Sequence, residues 1–237
     1  MTELEILEKR WAELIQPRNV KLGPISSNEI EDINLLATQI ENLKAQEYEA
    51  LITELQQKGI FIKSIWDLVN SKKPYPQIIE ILIKHLSFGY HHRTKEGIVR
   101  SLIVKEAKGK ATEALMREFQ NTANDKVSLR WIIGYAIGYL MKKEDVNWVV
   151  AAVLDNNNKD CRSGMILPLV KIKSEKAEDV LLKLLNQTDI EPGVIIQSIK
   201  GLSLLKSKAA KEVISYYLNH SNKDFKKNAK IALHKIG

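Results

Sequence analysis

The sequence predicts an all-α chain, wound as a solenoid of about five to six helix pairs behind an N-terminal helical cap. Three observations carry that prediction. Alternating polar and apolar runs, the mark of half-buried strands, do not occur. Pro, Gly, Asn and Asp fall instead between segments of 10 to 16 residues whose apolar positions have helical spacing. One frame of apolar anchors then recurs, at Ala107, Leu140, Ile172, Leu205 and Ile236, with spacings of 33, 32, 33 and 31. A two-helix unit of that length cannot bury its apolar face alone, whereas a stack of them can.

In chain order, residues 2–15 and 28–43 read as two helices joined by the loop QPRNVKLGPISSN. Residues 1–58 hold 6 basic and 11 acidic side chains, a net −5, which suits the polar outer face that a terminal cap must present. The cap is placed at 1–43. YEALITELQQKG followed by FIKSIWDLVN reads as an irregular pair over 44–74, with Gly59 as the stop after its first helix. Five pairs follow, at 75–109, 110–142, 143–174, 175–207 and 208–237, and the whole forms one continuous unit. Each opens on a short amphipathic helix (PQIIEILIKHL, KATEALMREF, EDVNWVVAAVL, AEDVLLKLL, AKEVISYYL). Each closes on an anchor helix, with Val104, Ile137, Leu169, Leu202 and Leu233 three residues before the anchor and Arg130, Arg162 and Lys226 ten before.

That frame resembles the second helix of HEAT repeats. Leu129-Arg130, Ile133, Ala136-Ile137 and Leu140 match it, as do Phe225-Lys226, Ala229, Ala232-Leu233 and Ile236, and the likeness covers about two-thirds of the chain. Arg100 sits a turn out of frame, Ile195 replaces the basic residue and Pro168 fills a small-residue slot. The resemblance implies a right-handed α–α superhelix whose second helices line the concave surface. It implies no particular activity.

Helical geometry turns Ile133, Ala136, Ile137 and Leu140 toward the core and Trp131, Tyr135 and Gly138 the other way. On a concave face these three would form an anchor pocket for a protein or peptide partner, with Lys105, Lys142, Lys200 and Lys227 making the surface basic. Burial of Trp131 and Tyr135 under neighbouring repeats is the competing expectation. Arg130 and Arg162 are expected to brace adjacent repeats by pairing with the turn acids Asp125 and Asp160.

Several chemistries find no support in the sequence. The uncharged run Trp131–Met141 is too short to span a bilayer, which takes about 20 apolar residues, so its G-x-x-x-G pair is not read as a membrane motif. One cysteine, Cys161, excludes an internal disulfide and fits a cytoplasmic setting without an export signal. His85, His91 and His92 have no Cys, Asp or Glu at useful spacing, so neither a metal nor a cofactor is expected. Gly109-Lys110-Ala111 lacks the glycine and hydroxyl of a phosphate loop.

The function expected is a non-catalytic scaffold or adaptor that grips a protein or peptide on its concave face. The second reading is nucleic-acid binding, from a net charge of +7 and a C-terminal stretch, 191–237, with 9 lysines against 3 acids. Only 7 of the 36 basic residues are arginine, against the habit of nucleic-acid binders. Trp66-Asp67-Leu68-Val69-Asn70 resembles the W-D-x-V-D segment of HEAT-like alkylpurine DNA glycosylases, but Asn70 stands where the catalytic carboxylate belongs. A third reading, a HEAT-like lyase or chaperone for a tetrapyrrole, has no cysteine- or histidine-based site behind it.

Overall fold

The computed structural model describes residues 3–15 and 26–237; most of the loop expected between the first two helices lies outside the described residues. Fourteen α-helices and no strand occur among them. The first four are α1 (Glu3–Ile15), α2 (Ser27–Glu47), α3 (Glu49–Gln57) and α4 (Ile65–Val69). Five further pairs follow: α5 (Ile79–Leu86) with α6 (His92–Ser101), α7 (Thr112–Asn121) with α8 (Val127–Leu140), and α9 (Val146–Leu154) with α10 (Ser163–Lys171). The last are α11 (Ala177–Leu185) with α12 (Pro192–Leu205) and α13 (Lys211–Tyr216) with α14 (Lys223–Ile236). The chain is an α-solenoid, and no described helix is long and apolar enough to cross a membrane.

Local chemistry sets the helix ends. Ser26 and Glu29 form a reciprocal capping box at the start of α2, and Ser64 with Asp67 does the same for α4. Gly59 takes φ +77 where the chain leaves α3, letting the Ile60 amide reach back to the Leu55 carbonyl at 3.0 Å. Only Tyr48 separates α2 from α3, so the division expected at residues 43/44 falls inside α2.

The second helices α6, α8, α10, α12 and α14 pack directly on one another, whereas successive first helices touch sparingly. One apolar core runs from Leu51 to Ile236, through Ile133, Ala136, Ile137, Leu140, Leu169 and Leu202. The α1–α2 hairpin buries Leu4, Leu36 and Ile40 separately from it.

Two anchors depart from their expected places. Val104 and Ala107 lie beyond α6, in a turn that ends as a 3-10 helix over Lys105–Ala107, because α6 has 10 residues where α8 has 14. Leu205, the last residue of α12, is exposed, since the chain turns away into a left-handed Lys206 with φ 53.

Candidate functional site

On α8 every fourth residue from Val127 reaches solvent: Val127, Trp131, Tyr135 and Tyr139. Trp131 is 39% and Tyr135 44% exposed, so neither is covered by a neighbouring repeat. Their rings stack at 5.9 Å with a 14° tilt, each limiting the other's rotamers. Gly138 belongs to the lining of the same cavity as Trp131 and Tyr135, but it is not itself exposed. It is buried where α10 crosses, and a Cβ there would sit 2.5 Å from the Gly164 carbonyl oxygen and 2.9 Å from Cγ of Pro168. A Cβ at Gly134 would meet the Cys161 carbonyl oxygen at 2.3 Å. The G-x-x-x-G pattern is therefore the seat of a close helix crossing, with backbone on backbone.

Together α8 and α10 line a cavity of about 640 Å³. Trp131, Tyr135 and Tyr139 form one wall; Gly164, Leu167 and Pro168 form the other. Its basic rim is Lys108 and Lys171, not the four lysines expected. Lys105, Lys142, Lys200 and Lys227 are exposed but stand outside the cavity; Lys142 lies against Gly109 with its ammonium 3.9 Å from Glu144. Lys108 follows the 3-10 turn Lys105–Ala107 and Lys171 is the last residue of α10, positions no repeat frame marks.

Arg130 and Arg162 occupy equivalent bracing positions with partners other than the expected acids. Arg130 donates to the carbonyls of Phe119 (2.9 Å) and Thr122 (2.7 Å) at the end of α7, and to Oδ1 of Asn158 (2.7 Å) in the next pair. Its guanidinium lies 4.3 Å over the Phe119 ring. Arg162 donates to the Val153 carbonyl (3.0 Å), Asn156 (2.9 Å) and Glu191 (3.1 Å). Each arginine thus ties off the carbonyl end of its own first helix and reaches one pair onward. Asp125 is exposed, and among the described residues neither it nor Asp160 forms an ion pair with either arginine. The Asp160 carboxylate rests against Gly193 in the first turn of α12, and burial, then the nearby Glu191, raises its pKa.

Asp67, in the segment resembling a glycosylase motif, accepts the amides of Lys63 (2.9 Å) and Ser64 (3.1 Å), and Asn70 donates to the Trp66 carbonyl at 3.0 Å. Both are occupied with helix ends.

The fold also gathers what the sequence scatters. Glu5 and Glu8 of α1 and Glu47 of α2 surround His91 and His92 at the start of α6. The Glu47 carboxylate accepts from the His91 amide and, at 2.6 Å, from the Thr94 hydroxyl. Glu5, His91 and His92 each bring a donor atom within 4.8 Å of the other two. Beside them opens a cavity of about 390 Å³, also lined by Lys95, Glu118 and Lys126. Sequence reasoning missed this cluster because its carboxylates come from helices more than forty residues away.

His85, by contrast, is fully buried, with Nδ1 2.6 Å from the Tyr90 hydroxyl and Nε2 3.3 Å from Oε1 of Glu54; Lys84 and Phe88 are its other polar and aromatic neighbours. Burial lowers its pKa, outweighing the carboxylate. Above the unfolded value of about 6.5 both states are neutral; below it the unfolded chain binds the extra proton, so stability falls with pH until the lower folded value is passed. Urea midpoints taken from about pH 7.5 to 5.5 are expected to decline, by at most about 1.4 kcal/mol per pH unit for this proton. His85→Gln, whose amide still donates and accepts, should reduce that slope without abolishing it, since burial also lowers the pKa of His91 and His92; an unchanged slope would place the acid sensitivity elsewhere.

No family model matches the chain, and no curated protein matches it. Among solved structures it is similar to a designed armadillo repeat protein, at 12% identity and a TM-score of 0.47, over 98% of this chain and 100% of that one.

Proposed function

We propose that this chain is a non-catalytic scaffold or adaptor, a HEAT-like member of the helical-repeat proteins with repeats bounded near 75–109, 110–142, 143–174, 175–207 and 208–237. It binds a protein or peptide segment on its concave face. One observation carries the reading: Trp131 and Tyr135 are stacked, half-exposed and fixed on the wall of a cavity between α8 and α10. Exposed aromatics held rigid bury large area at small entropic cost, and such residues dominate binding hot spots. The lining offers lysines, Ser163 and Gln197 but neither carboxylate nor imidazole among the described residues, a surface suited to holding rather than to acid–base chemistry. Lys108 and Lys171 favour a segment with apolar side chains flanked by Asp or Glu.

Selection of displayed peptides against the wild-type chain should return such segments. Trp131→Ala with Tyr135→Ala should weaken the selected peptides about 100-fold or more, with helicity unchanged. Alanine at Tyr216, 77% exposed and far along the chain, should do nothing. Full affinity in the double variant would sink the proposal, as would tight salt-dependent binding of duplex DNA with no peptide selected.

A further inference from the structure

The α1–α2 hairpin adds nothing to the apolar core that runs from Leu51 onward. At its seat on the start of α6, charged and polar side chains meet. Glu8 faces His91, Glu47 caps the start of α6, and Lys126 donates to Glu5 at 2.6 Å. In that seam two imidazoles pack with ring centroids 4.0 Å apart. The His91 side chain is 2% exposed, and its Nε2, 3.1 Å from Glu8, is not oriented as a hydrogen bond. Nδ1 of His92 is also buried and without a hydrogen-bond partner. Leaving such a group unpaired costs about 1–3 kcal/mol, so two adjacent ones call for a ligand that neutral imidazoles can bind.

We propose that Glu5, His91 and His92 bind one divalent transition-metal ion, zinc above all, which pins α1 onto the start of α6. The donor set is the imidazole–carboxylate mix that zinc takes, and calcium or magnesium would seek oxygen alone. Metal–donor bonds of about 2.0–2.2 Å place tetrahedral donors closer together than 4.8 Å, so the three side chains draw inward as the ion enters. Nδ1 of His91 already accepts the Arg93 amide at a long 3.4 Å. Nε2 is the nitrogen open to metal, and that weak contact yields as the ring proton moves to Nδ1. Supporting groups are in place: Lys126 holds Glu5, and Glu47 fixes the backbone of His91. Three protein donors leave a position for water, toward the 390 Å³ cavity.

The test uses the untagged full chain, stripped with chelator and titrated with zinc chloride by calorimetry. One ion per chain should bind and raise the thermal midpoint. Glu5→Gln and His92→Gln should each weaken uptake about 10-fold or more and abolish the thermal gain. Both change partly exposed side chains, so they report even if His91→Gln fails to fold. His220→Gln and His234→Gln, at the other end of the array, should leave uptake unchanged. Absence of stoichiometric zinc, or equal uptake by the Glu5→Gln/His92→Gln chain, would overturn the proposal.

Discussion

Arg162→Ala is expected to lower the unfolding free energy by about 3 kcal/mol, the low end of the roughly 3–5 kcal/mol found when one partner of a buried ion pair is removed. Arg162 is 1% exposed and makes three hydrogen bonds, one of them charge-assisted to Glu191. Glu191 keeps 24% of its side chain in solvent, which moderates the loss. Two further effects oppose that moderation. The Val153 carbonyl at the end of α9 loses its donor, and Asp160 and Glu191 are left as neighbouring carboxylates without the cation between them. For a chain of this size about 2–4 °C of thermal midpoint accompanies each kcal/mol, so a drop of about 6–12 °C is expected. Arg162→Met, which keeps the stem and removes the charge, should cost less, because replacing charge by apolar volume is better tolerated than deleting it. Arg117→Ala, in a pair whose members are 61% and 83% exposed, should be indistinguishable from wild type. Urea unfolding measures all three, and a loss below about 1 kcal/mol for Arg162→Ala would show that the brace is incidental.

Where the frame was legible, the reason was local. An apolar residue at every third or fourth place fixes which way a helix faces, and that alone turned Ile133, Ala136 and Ile137 inward and left Trp131 and Tyr135 outside. Gly138 lies at the edge of the stripe, where its exposure depends on the crossing helix, and no pattern within α8 encodes where α10 crosses. The arginines show the same boundary. Their bracing role follows from recurrence at one place in the frame, but most of their acceptors are carbonyl groups and amides, and a backbone carbonyl has no sequence signature. Asn156, Asn158 and Glu191 stand in the sequence, but nothing local marks them as partners ahead of the acids closer to each arginine. The histidine seam was least legible, since Glu5 and His91 become neighbours only after the hairpin folds back on α6. Likewise Ala107 kept the 33-residue spacing while leaving the helix, because equal spacing does not demand equal helix length.

Placing alanine at both Gly134 and Gly138 should destabilise the chain by about 2–4 kcal/mol and also disable the aromatic cavity. Helix propensity argues the other way, since alanine in a helix interior is favoured over glycine by about 1 kcal/mol per site. Sterics decide the sign. The new Cβ atoms would stand 2.3 Å from the Cys161 carbonyl oxygen and 2.5 Å from that of Gly164, and both obstacles are backbone, which cannot rotate aside as a side chain can. Pro168 sharpens the conflict at Gly164: lacking an N–H, it cannot donate to the carbonyl four residues back, and that carbonyl faces Gly138 instead. Overpacking costs typically about 1–3 kcal/mol per insertion, so α10 must slide off α8. The reverse contact leaves little slack, because a Cβ on Gly164 would meet Cα of Tyr135 at 2.9 Å. Displacing α10 moves Leu167 and Pro168, the wall opposite Trp131 and Tyr135. Peptides selected on the wild-type groove should therefore lose affinity in a variant whose aromatic residues are intact. Denaturant midpoints report the first effect and peptide titration the second. A variant as stable as wild type would mean that the two helices can separate freely, and the rigid groove on which the binding proposal rests would not exist.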